Sequence, residues 1–587
     1  MRYHAFACDY DNTLAGEGMV AGETLALLER LLATGRKLIL VTGRELDDLL
    51  NVFPEIHLFH RVVAENGALL YDPATRGEKA LAPSIPQAFV QALWERGIRN
   101  CSAGRVIVST QRPEEHKVLA VIRDMGLELQ TIFSRGAVMV LPAGVNKASG
   151  ITAALDSLSL SAHEVVGVGD AENDHAFLTL CEFSVAVANA LPALREHADW
   201  VTAAADGAGI GELIEELIAN DLESRDADVA RHRLPLGSRA DGGEVWLSPR
   251  GPNILIAGPS GSGKSTAATS FLERLAERQY QFCIVDPEGD YEGLPGAVTL
   301  GRGGRGPMAE EVVEVLAKPQ HNVVVNLLGL PVTERPPFFL ELLPRLQEMR
   351  AHTGRPHWLV VDEAHHLLPV SWEPNQAAAV GELQRTLFIT VHPDQIVPAA
   401  SRSVGIVLAV GSDPRQTLDL FAKSLRLSPP PLESDQLGPD VAVLWPLSEG
   451  GKPYPVRIAP SHIERQRHAR KYAVGELPPD RSFYFRGAAG KLNLRAQNLH
   501  MFLQLAEGVD TDTWLHHLRQ GDYSHWFRAH IKDDRLAADT ERVEQQTELS
   551  ADESRARIRD LVDLYYMRPV SPPLPIPGTD AAPVWQG

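Results

Sequence analysis

The stretch NILIAGPSGSGKST, residues 253–266, is the most specific pattern in this chain. It begins as a mostly apolar strand, continues as GxxxxGK[ST] and is followed by the helical pattern AATSFLERLAER. Glycines in such a loop let backbone N–H groups wrap phosphate oxygens, while the lysine reaches the β- and γ-phosphates and the next hydroxyl binds Mg²⁺. The pattern therefore predicts an α/β region that binds ATP, with Ser265 on the metal. The residues predicted to bind ATP in this loop are Gly258, Gly261, Ser262, Gly263, Lys264, Ser265 and Thr266.

A second acidic motif lies 98 residues after Lys264 (362 − 264 = 98). The buried-strand pattern HWLVV ends there in Asp362 and Glu363. A carboxylate after a strand suits Mg²⁺ held through water, and a neighbouring glutamate can polarise the water that attacks ATP. The pair therefore indicates ATP hydrolysis, with Asp362 in the nucleotide site and Glu363 as a catalytic residue.

Strand and helix patterns alternate through much of the remaining chain. The alternation in residues 1–220, and again in 246–460, predicts two parallel sheets covered by helices. Residues 221–245 are charged and Gly-rich, which predicts a linker. Long helical patterns predict a mostly helical domain at 461–568, and residues 569–587 form a Pro-rich tail.

Length and composition exclude several classes of protein. A chain of 587 residues suggests about three to five domains. Its 44% hydrophobic and 22% charged residues are typical of globular proteins, and its net charge of −20 argues against a general binder of polyanions. The four scattered cysteines exclude a disulfide scaffold and a thiolate zinc site. Because no apolar run is long enough to span a membrane, we expect a cytoplasmic protein without a membrane partner.

Residues suited to phosphoryl transfer follow strand patterns in residues 1–220. They are Asp9 and Asp11 after the first strand, Thr42 and Gly43 after the second, Lys147 at a helix start, and Asp170 after a later strand. The carboxyl ends of parallel strands share one edge of a sheet, so these groups should meet in one crevice. Paired carboxylates there can supply a nucleophile, a proton donor and oxygens for a metal ion. The sequence therefore predicts a phosphoryl-transfer site.

This order of residues resembles the haloacid dehalogenase (HAD) superfamily, in particular its Cof-like and sugar-phosphatase branch. ENGA at 65–68 and GDAEND at 169–174 add to the resemblance, which covers about residues 1–215. It implies a Rossmann-like core with a small α/β cap at about 86–145. It also implies a Mg²⁺-dependent phosphomonoesterase whose cap selects a phosphorylated small molecule or a nucleotide.

The HAD resemblance also assigns roles to single residues. Asp9 would attack phosphorus and form an aspartyl-phosphate, while Asp11 would protonate the leaving oxygen and then activate water. The phosphate-binding residues would be Thr42, Gly43, Lys147 and Asn173. The Mg²⁺ ligands would be Asp9, Asp170 and the backbone carbonyl of Asp11, with Asn173 and Asp174 in support.

Residues 232–450 resemble the HerA/FtsK superfamily of P-loop motor ATPases. The resemblance rests on the glycine-rich loop, on the two acids after HWLVV and on the Asp-Pro-x-Gly-x-Tyr segment at 286–291. It implies that Thr390 or His392 senses the γ-phosphate. It also implies a homo-oligomer, usually a hexameric ring, with DNA as a candidate partner. A basic stretch at 464–495 with interleaved aromatic residues could grip nucleic acid, although an exposed basic face is the simpler interpretation.

Two alternative functions remain open from the sequence. One is an end-repair enzyme that joins a polynucleotide 3′-phosphatase to a 5′-kinase, which the Asp362–Glu363 pair disfavours. The other is a phosphatase regulated by a P-loop region that binds nucleotide as a switch and turns it over slowly.

Overall fold

The computed structural model describes residues 1–134, 136–229, 231–301, 305–372, 380–428, 431–432, 441–447, 451–461, 472, 477, 479, 481–487, 490–531 and 533–567. The chain divides into two compact units, residues 1–460 and 461–587, and both α/β regions lie in the first. Much of the predicted basic stretch, including residues 462–471, and the Pro-rich tail lie outside the described residues. None of the helices in these ranges is long and apolar enough to cross a lipid bilayer.

Residues 1–220 alternate strands and helices as the sequence predicts. The strands are β1 (Ala5–Asp9), β2 (Lys37–Val41), β3 (Arg61–Ala64), β4 (Leu69–Asp72), β5 (Gly77–Ala80), β6 (Ser102–Ala103), β7 (Val108–Gln111), β8 (Leu129–Ser134), β9 (Ala137–Pro142), β10 (Val165–Gly169), β11 (Phe183–Ala186) and β12 (Trp200–Val201). The helices are α1 (Gly22–Ala33), α2 (Leu46–Val52), α3 (Gln87–Glu95), α4 (Glu115–Met125), α5 (Lys147–Leu158), α6 (His175–Leu180), α7 (Pro192–His197) and α8 (Asp206–Asn220).

The core of this region is one mostly parallel sheet. Its order, over the strands just given, is β12-β11-β10-β1-β2-β3-β4-β5, and only the β3-β4-β5 hairpins are antiparallel. β1 and β10 lie side by side at the centre and are buried along their whole length. Burial on both faces explains why these strands are continuous apolar runs rather than alternating ones. The carboxyl ends of β1, β2 and β10 consequently lie at one edge.

A smaller domain is inserted between β5 and α5. Its antiparallel sheet has the order β6-β7-β9-β8, and α3 and α4 contribute to a separate apolar core that includes Phe89, Val118 and Val140. Met139 of β9 lines the same cavity as Asp9 of the core sheet. This smaller domain, which we call the cap, therefore covers the carboxyl edge of β1.

The second α/β region forms a larger mixed sheet. Its strands are β13 (Leu234–Ser238), β14 (Glu244–Leu247), β15 (Asn253–Ala257), β16 (Phe282–Asp286), β17 (Ala297–Leu300), β18 (Asn322–Asn326), β19 (Trp358–Val361), β20 (Thr386–Thr390), β21 (Val404–Ala409), β22 (Val441–Pro446) and β23 (Tyr454–Ile458). Its helices include α9 (Lys264–Glu277), α10 (Ala309–Leu316), α11 (Arg335–Thr353), α12 (Ala364–Leu367), α13 (Pro398–Ser403) and α14 (Pro414–Ser424).

The strand order of this sheet places β20 between two functional strands. The order is β14-β13-β23-β22-β21-β15-β20-β19-β16-β18-β17, with the strands from β21 to β17 parallel. β20 thus separates β15, which leads into the glycine-rich loop, from β19, which leads into Asp362. Within 221–245, the segment predicted as a linker, β13 and the start of β14 join the antiparallel end of this sheet. Buried residues alternate with more exposed ones in both strands, as is typical of a strand with one buried face. The charged composition of the segment made this alternation hard to recognise in the sequence.

The two sheets of the first unit meet near the amino ends of their strands. Glu164, just before β10, accepts a hydrogen bond from His357, just before β19, across 2.8 Å. Both side chains are buried, and Nδ1 of His357 accepts from the backbone N–H of Gln281 at 2.7 Å. This pairing requires a neutral His357 with its proton on Nε2. The carboxyl ends of β10 and β19, where the predicted sites lie, therefore point away from this joint.

Glu182, just before β11, is the second buried carboxylate of the joint. Its oxygens accept from Arg250 Nε at 2.7 Å and from the Tyr280 hydroxyl at 2.8 Å, and His163 Nδ1 lies at 2.7 Å. Burial alone would raise the pKa of Glu182, but the charges of Arg250 and His163 lower it well below its usual range. Glu182, His163 and His232 are close enough to hold a metal ion. Because Arg250 already neutralises the carboxylate, we interpret this cluster as an ion pair that joins the two regions.

The second unit is mostly helical. Its elements include β24 (Phe483–Phe485), β25 (Leu494–Ala496), α15 (Leu499–Gly508), α16 (Thr511–Gln520), α17 (Asp522–Trp526), α18 (Asp534–Glu544) and α19 (Ala551–Val562). Phe483, Phe485, Phe502, Trp514 and Trp526 form an aromatic core there. Phe483 and Phe485, two aromatics of the predicted basic stretch, are thus buried in this core.

Acidification should weaken the first unit through His357. Burial lowers the pKa of His357 to about 4, against the opposing hydrogen bond to Glu164. Between pH 6.5 and this value the unfolded chain binds a proton on this side chain and the folded chain does not. The free energy of unfolding should therefore fall by roughly 3 kcal/mol as pH drops from about 6.5 to about 4. Urea titrations of the full chain at a series of pH values measure this slope.

The variant His357→Gln is the control for that slope. Its amide can still donate to Glu164 but does not titrate. The free energy of unfolding of this variant should therefore not show the fall that the titration of His357 causes in the wild-type protein. The matched variant His500→Gln changes an exposed histidine of the second unit and should keep the wild-type slope. Equal slopes in wild type and H357Q would contradict a buried neutral histidine in the joint.

Candidate active sites

The predicted phosphoryl-transfer residues meet around one cavity of about 550 Å³ at the carboxyl edge of the first sheet. From the core it is lined by the predicted residues Asp9, Asp11, Gly43, Lys147, Asp170 and Asn173, and from the cap by Ser102, Ser109, Ala137 and Met139. Thr42 is buried behind this lining, where its hydroxyl accepts from the Arg44 N–H at 3.1 Å. Six of the seven predicted residues therefore face the same space, and Thr42 shapes the turn next to it.

Lys147 lies at the base of this cavity between two carboxylates. It is the first residue of α5, whose start is capped by the side chain of Asn146. Its Nζ lies 2.5 Å from Asp9 Oδ1 and 2.5 Å from Asp174 Oδ1, and the side chain is only 1% exposed. Burial would lower the pKa of Lys147, but the charges of Asp174 and Asp9 outweigh burial and raise it. The lysine is therefore a permanent cation against Asp9.

Asp174 holds this arrangement together more directly than the sequence predicts. Its second oxygen accepts from the N–H groups of Asp170 at 3.0 Å and Ala171 at 2.9 Å. A side chain on Gly169 would lie 2.7 Å from Asp174, so the close packing requires glycine there. Asp174 thus links the turn that carries Asp170 to the lysine that contacts Asp9.

The carboxylates at this site fit a divalent cation. Oxygens of Asp9, Asp170 and Asp174 lie within 4.8 Å of one another, and all three residues are buried. With Lys147 the cluster has a formal charge of −3 + 1 = −2. Burial and the charge of Asp174 raise the pKa of Asp9 well above its usual range, with Lys147 opposing them. Mg²⁺ would offset this excess charge and prefers carboxylate oxygens, so the residues present fit the ion.

Asp11 is held by an arginine that the sequence analysis missed. Arg44 forms a two-pronged ion pair with the Asp11 carboxylate, with Nε 2.8 Å from Oδ2 and NH2 2.6 Å from Oδ1. It also contacts Asp48 at 2.6 Å, and the hydrogen bonds that it donates to Asp11 and Asp48 raise the pKa of the guanidinium. The signal was present in the sequence, because Arg44 directly follows the predicted phosphate-binding pair. Another missed residue is Thr13, whose hydroxyl donates to Asp170 at 3.1 Å.

The second candidate site lies at the carboxyl edge of the larger sheet. The loop from Gly258 to Gly263 joins β15 to α9, and Lys264 Nζ donates to the carbonyls of Gly258 at 3.0 Å and Pro259 at 2.9 Å. Gly261 and Gly263 have φ values of 75° and 93°, which favour glycine. Ser265 and Thr266 follow Lys264 in the first turn of α9. The backbone thus adopts the strand–loop–helix arrangement that the motif predicts.

Acidic residues surround this loop on the side of β19. Asp362 is buried, and burial, together with Asp286 and Glu363, raises its pKa well above the usual range. Burial likewise raises the pKa of Glu363, with Lys264 opposing the shift. The charges of Glu363 and Asp362 also act on Lys264, so both carboxylates lie near the lysine of the glycine-rich loop.

Thr390 and Glu363 both lie close to one nitrogen of His365. Thr390 ends β20 in register with Ala257 at the end of β15. Its hydroxyl lies 3.1 Å from His365 Nδ1, and the same nitrogen lies 3.4 Å from Glu363 Oε2. His392, the other predicted sensor, donates its backbone N–H to the Thr390 hydroxyl at 3.0 Å. Thr390 is therefore the better placed of the two predicted sensors, and His365 is a contact that the sequence analysis missed.

Comparisons with known proteins match each α/β region separately. The haloacid dehalogenase-like hydrolase family matches residues 6–117 and 129–214, and an AAA domain family matches residues 250–418. The chain is 31% identical over 223 residues to a phosphoglycolate phosphatase of Methanothermobacter thermautotrophicus, which covers 36% of this chain and 98% of that protein. It is 28% identical over 226 residues to phosphoglycolate phosphatase 2 of Saccharolobus solfataricus, covering 37% of this chain and 93% of that protein.

A solved haloacid dehalogenase-like hydrolase from Bacteroides thetaiotaomicron is also similar, with 18% identity and a TM-score of 0.33. The similarity covers 37% of this chain and 99% of the Bacteroides thetaiotaomicron chain. The first family model thus falls within the first α/β region and the second within the second α/β region.

Mg²⁺ should stabilise the protein through Asp170. An ion that binds the folded state at about 100 times its dissociation constant adds about 2.7 kcal/mol, which corresponds to a rise of several degrees in the midpoint of thermal unfolding. In Asp170→Asn this Mg²⁺-dependent rise should be lost, because the variant removes one carboxylate of the cluster. Differential scanning calorimetry with and without MgCl₂ measures it.

Asp48→Asn is the matched control for this measurement, because Asp48 lies at the same cavity but outside the carboxylate cluster. It should keep the rise. A rise of the same size in D170N and wild type would contradict the assignment of Asp170 as a ligand.

Proposed function

Residues 6–214 place this chain in the haloacid dehalogenase-like hydrolase family, and we propose that its first site hydrolyses a small phosphomonoester through an aspartyl-phosphate on Asp9. The observation that carries this proposal is the Asp9 carboxylate, pinned by Lys147 at the base of a cavity whose wall carries Asp11. A fixed carboxylate beside a buried cation suits a nucleophile toward a phosphoryl group, because the cation also attracts the phosphoryl oxygens.

The first half of the reaction transfers the phosphoryl group to the enzyme. Lys147 engages Oδ1 of Asp9, which leaves Oδ2 to attack phosphorus. As the new P–O bond forms, the bond to the substrate oxygen breaks, and Asp11 supplies the proton that this oxygen takes. Arg44, which now pairs with Asp11, would move toward the phosphoryl or substrate oxygens when Asp11 is protonated. Mg²⁺, held by Asp9 and Asp170, would offset the charge of the phosphoryl oxygens.

The second half releases phosphate. Asp11, now ionised, removes a proton from water, and the water oxygen attacks phosphorus. The bond to Asp9 breaks, which regenerates its carboxylate, and the proton remains on Asp11 for the next cycle. Thr42, Gly43 and Asn173 would hold the phosphoryl oxygens through both steps.

The dimensions of the cavity and the two cations that line it support a small phosphorylated substrate. A volume of about 550 Å³, bordered on one side by the cap, suits a compact molecule. Among the described residues that line it, Lys147 and Arg44 are the cations. The two relatives described above are phosphoglycolate phosphatases. Phosphoglycolate is therefore the first substrate to test.

The second site is proposed to hydrolyse ATP. Support comes from the match of residues 250–418 to an AAA domain and from Glu363, which lies beside the loop that carries Lys264. The HerA/FtsK resemblance extends this proposal to a motor that assembles as a homo-oligomer, with a hexameric ring as the expected form and DNA as a candidate partner. Thr390, on the strand between β15 and β19, would report the γ-phosphate to Glu363 through His365.

Asp9→Asn should abolish the phosphatase activity. The amide is a poor nucleophile, so we expect kcat/KM for phosphoglycolate to fall at least about 1,000-fold, a loss of roughly 4 kcal/mol in transition-state stabilisation. Release of inorganic phosphate measures the effect. Asp124→Asn, an exposed change on the cap, is the control and should retain full activity. Residual activity of D9N above about 1% of wild type would exclude the covalent mechanism.

Glu363→Gln should lower ATP turnover by about 100-fold with little change in nucleotide affinity, because the amide cannot polarise the attacking water. A coupled ATPase assay and nucleotide titrations measure the two quantities. Glu382→Gln, an exposed change in the same region, is the control. Unchanged turnover in E363Q would favour a nucleotide switch. Transfer of labelled phosphate from ATP to a 5′-hydroxyl oligonucleotide would favour the end-repair kinase.

A further inference from the structure

The turn at residues 65–67 connects the floor of the phosphatase cavity to several of its walls. The backbone N–H of Glu65 donates to the Arg44 carbonyl at 2.9 Å, and that of Asn66 donates to the Thr42 carbonyl at 3.0 Å. The Asn66 side chain accepts from Asn173 at 2.9 Å. The turn is therefore bonded directly to the predicted phosphate-binding segment and to a residue that lines the cavity.

The conformation of this turn is unusual for its residues. Glu65 and Asn66 both have φ of 53°, a left-handed conformation that non-glycine residues seldom adopt. Gly67 has φ of 101° and lies so close to the start of α5 that an added Cβ would come within 1.9 Å of the Asn146 carbonyl. Two consecutive residues keep such an unfavourable backbone conformation only where the contacts around them fix it. Backbone strain of this kind is common at functional sites.

The side chain of Glu65 leaves the core and enters the cap. Its Oε1 accepts from the Arg105 N–H at 2.7 Å, and its Oε2 accepts from the N–H groups of Val106 at 2.8 Å and Ile107 at 3.1 Å. The glutamate is fully buried. A side chain at Gly104 would lie 2.5 Å from Glu65 Oε1, so the close approach requires glycine. One core carboxylate thus binds three consecutive cap amides.

These three amides lead directly into the substrate-facing part of the cap. Ile107 precedes β7, which carries Ser109, and Ser109 pairs with Met139 on β9. Both residues line the cavity opposite Asp9. Met139 also packs on the floor, because an added Cβ on Gly43 would lie 3.3 Å from its sulfur. The position of the cap amides therefore sets the position of Ser109 and Met139 over the phosphate-binding turn.

We propose that Glu65 is a positioning residue that holds the cap closed over the phosphatase site and thereby determines which phosphomonoesters are accepted. This proposal rests on the proposed phosphatase function for its consequence in selectivity, while the contact of Glu65 with the cap is independent of that function. The reaction of a small substrate that contacts the cap should be faster when the cap is held in a fixed position over the site. A generic aryl phosphate, whose reactivity depends mainly on its good leaving group, gains little.

The test compares Glu65→Gln and Glu65→Ala in the full chain with the matched variant Glu78→Gln. Glu78 also pairs with Arg105, but it contacts the exposed guanidinium at 2.9 Å. The Glu78→Gln variant therefore weakens a contact to the same cap residue and leaves the three amides unchanged. Amide hydrogen exchange of residues 105–107 is the first measurement. We expect exchange at least 10-fold faster in E65A, an intermediate increase in E65Q, which keeps one acceptor oxygen, and the wild-type rate in E78Q.

The second measurement is the ratio of kcat/KM for phosphoglycolate to that for p-nitrophenyl phosphate. In E65A this ratio should fall at least 10-fold, with the value for p-nitrophenyl phosphate within about threefold of wild type. Equal losses on both substrates would assign Glu65 a merely structural role and overturn the proposal, as would unchanged exchange in E65A. Wild-type protein inactive on both substrates would overturn the proposed function instead, and the exchange measurement would still decide whether Glu65 holds the cap.

Discussion

The contact of the Lys147 ammonium with two buried carboxylates is the interaction on which the phosphatase site depends. Isolated charges are costly to bury, so Asp9 can remain at the base of the cavity only if a cation is held against it. That cation is supplied by the first residue of α5, where the chain returns from the cap to the core. The Lys147 side chain therefore connects the position of Asp9 to the start of α5 and to the end of the inserted cap.

The same principle of topology places both sites. In each sheet, functional residues follow parallel strands and collect at the carboxyl edge, while a buried hydrogen bond and a buried ion pair join the sheets near their amino ends. Because the strands run from the joint toward their carboxyl ends, the two candidate sites lie away from it. The Glu164–His357 and Glu182–Arg250 contacts connect the two α/β regions at this joint.

The sequence was a good guide to residues that lie at strand ends and a poor guide to the contacts between them. Asp9, Asp11, Lys147 and Asp170 could be predicted to meet because parallel strands share an edge. The ion pair of Arg44 with Asp11 and the bonds from Glu65 to the cap depend on side-chain directions in three dimensions, which strand patterns do not specify. The joint could not be predicted either, because Glu182 and Arg250 are separated by a charged segment that reads as a linker.

The most direct test of the phosphatase mechanism is chemical trapping of the intermediate on the whole 587-residue chain. Turnover of phosphoglycolate is quenched with borohydride, which reduces an aspartyl-phosphate to homoserine, and the peptide that contains residue 9 is examined by mass spectrometry. A covalent mechanism predicts homoserine at position 9 that forms only when substrate is present. Homoserine should form in the control variant Asp124→Asn and be absent in Asp9→Asn. Turnover without modification of residue 9, or with modification of another carboxylate, would contradict the assignment of Asp9 as the nucleophile.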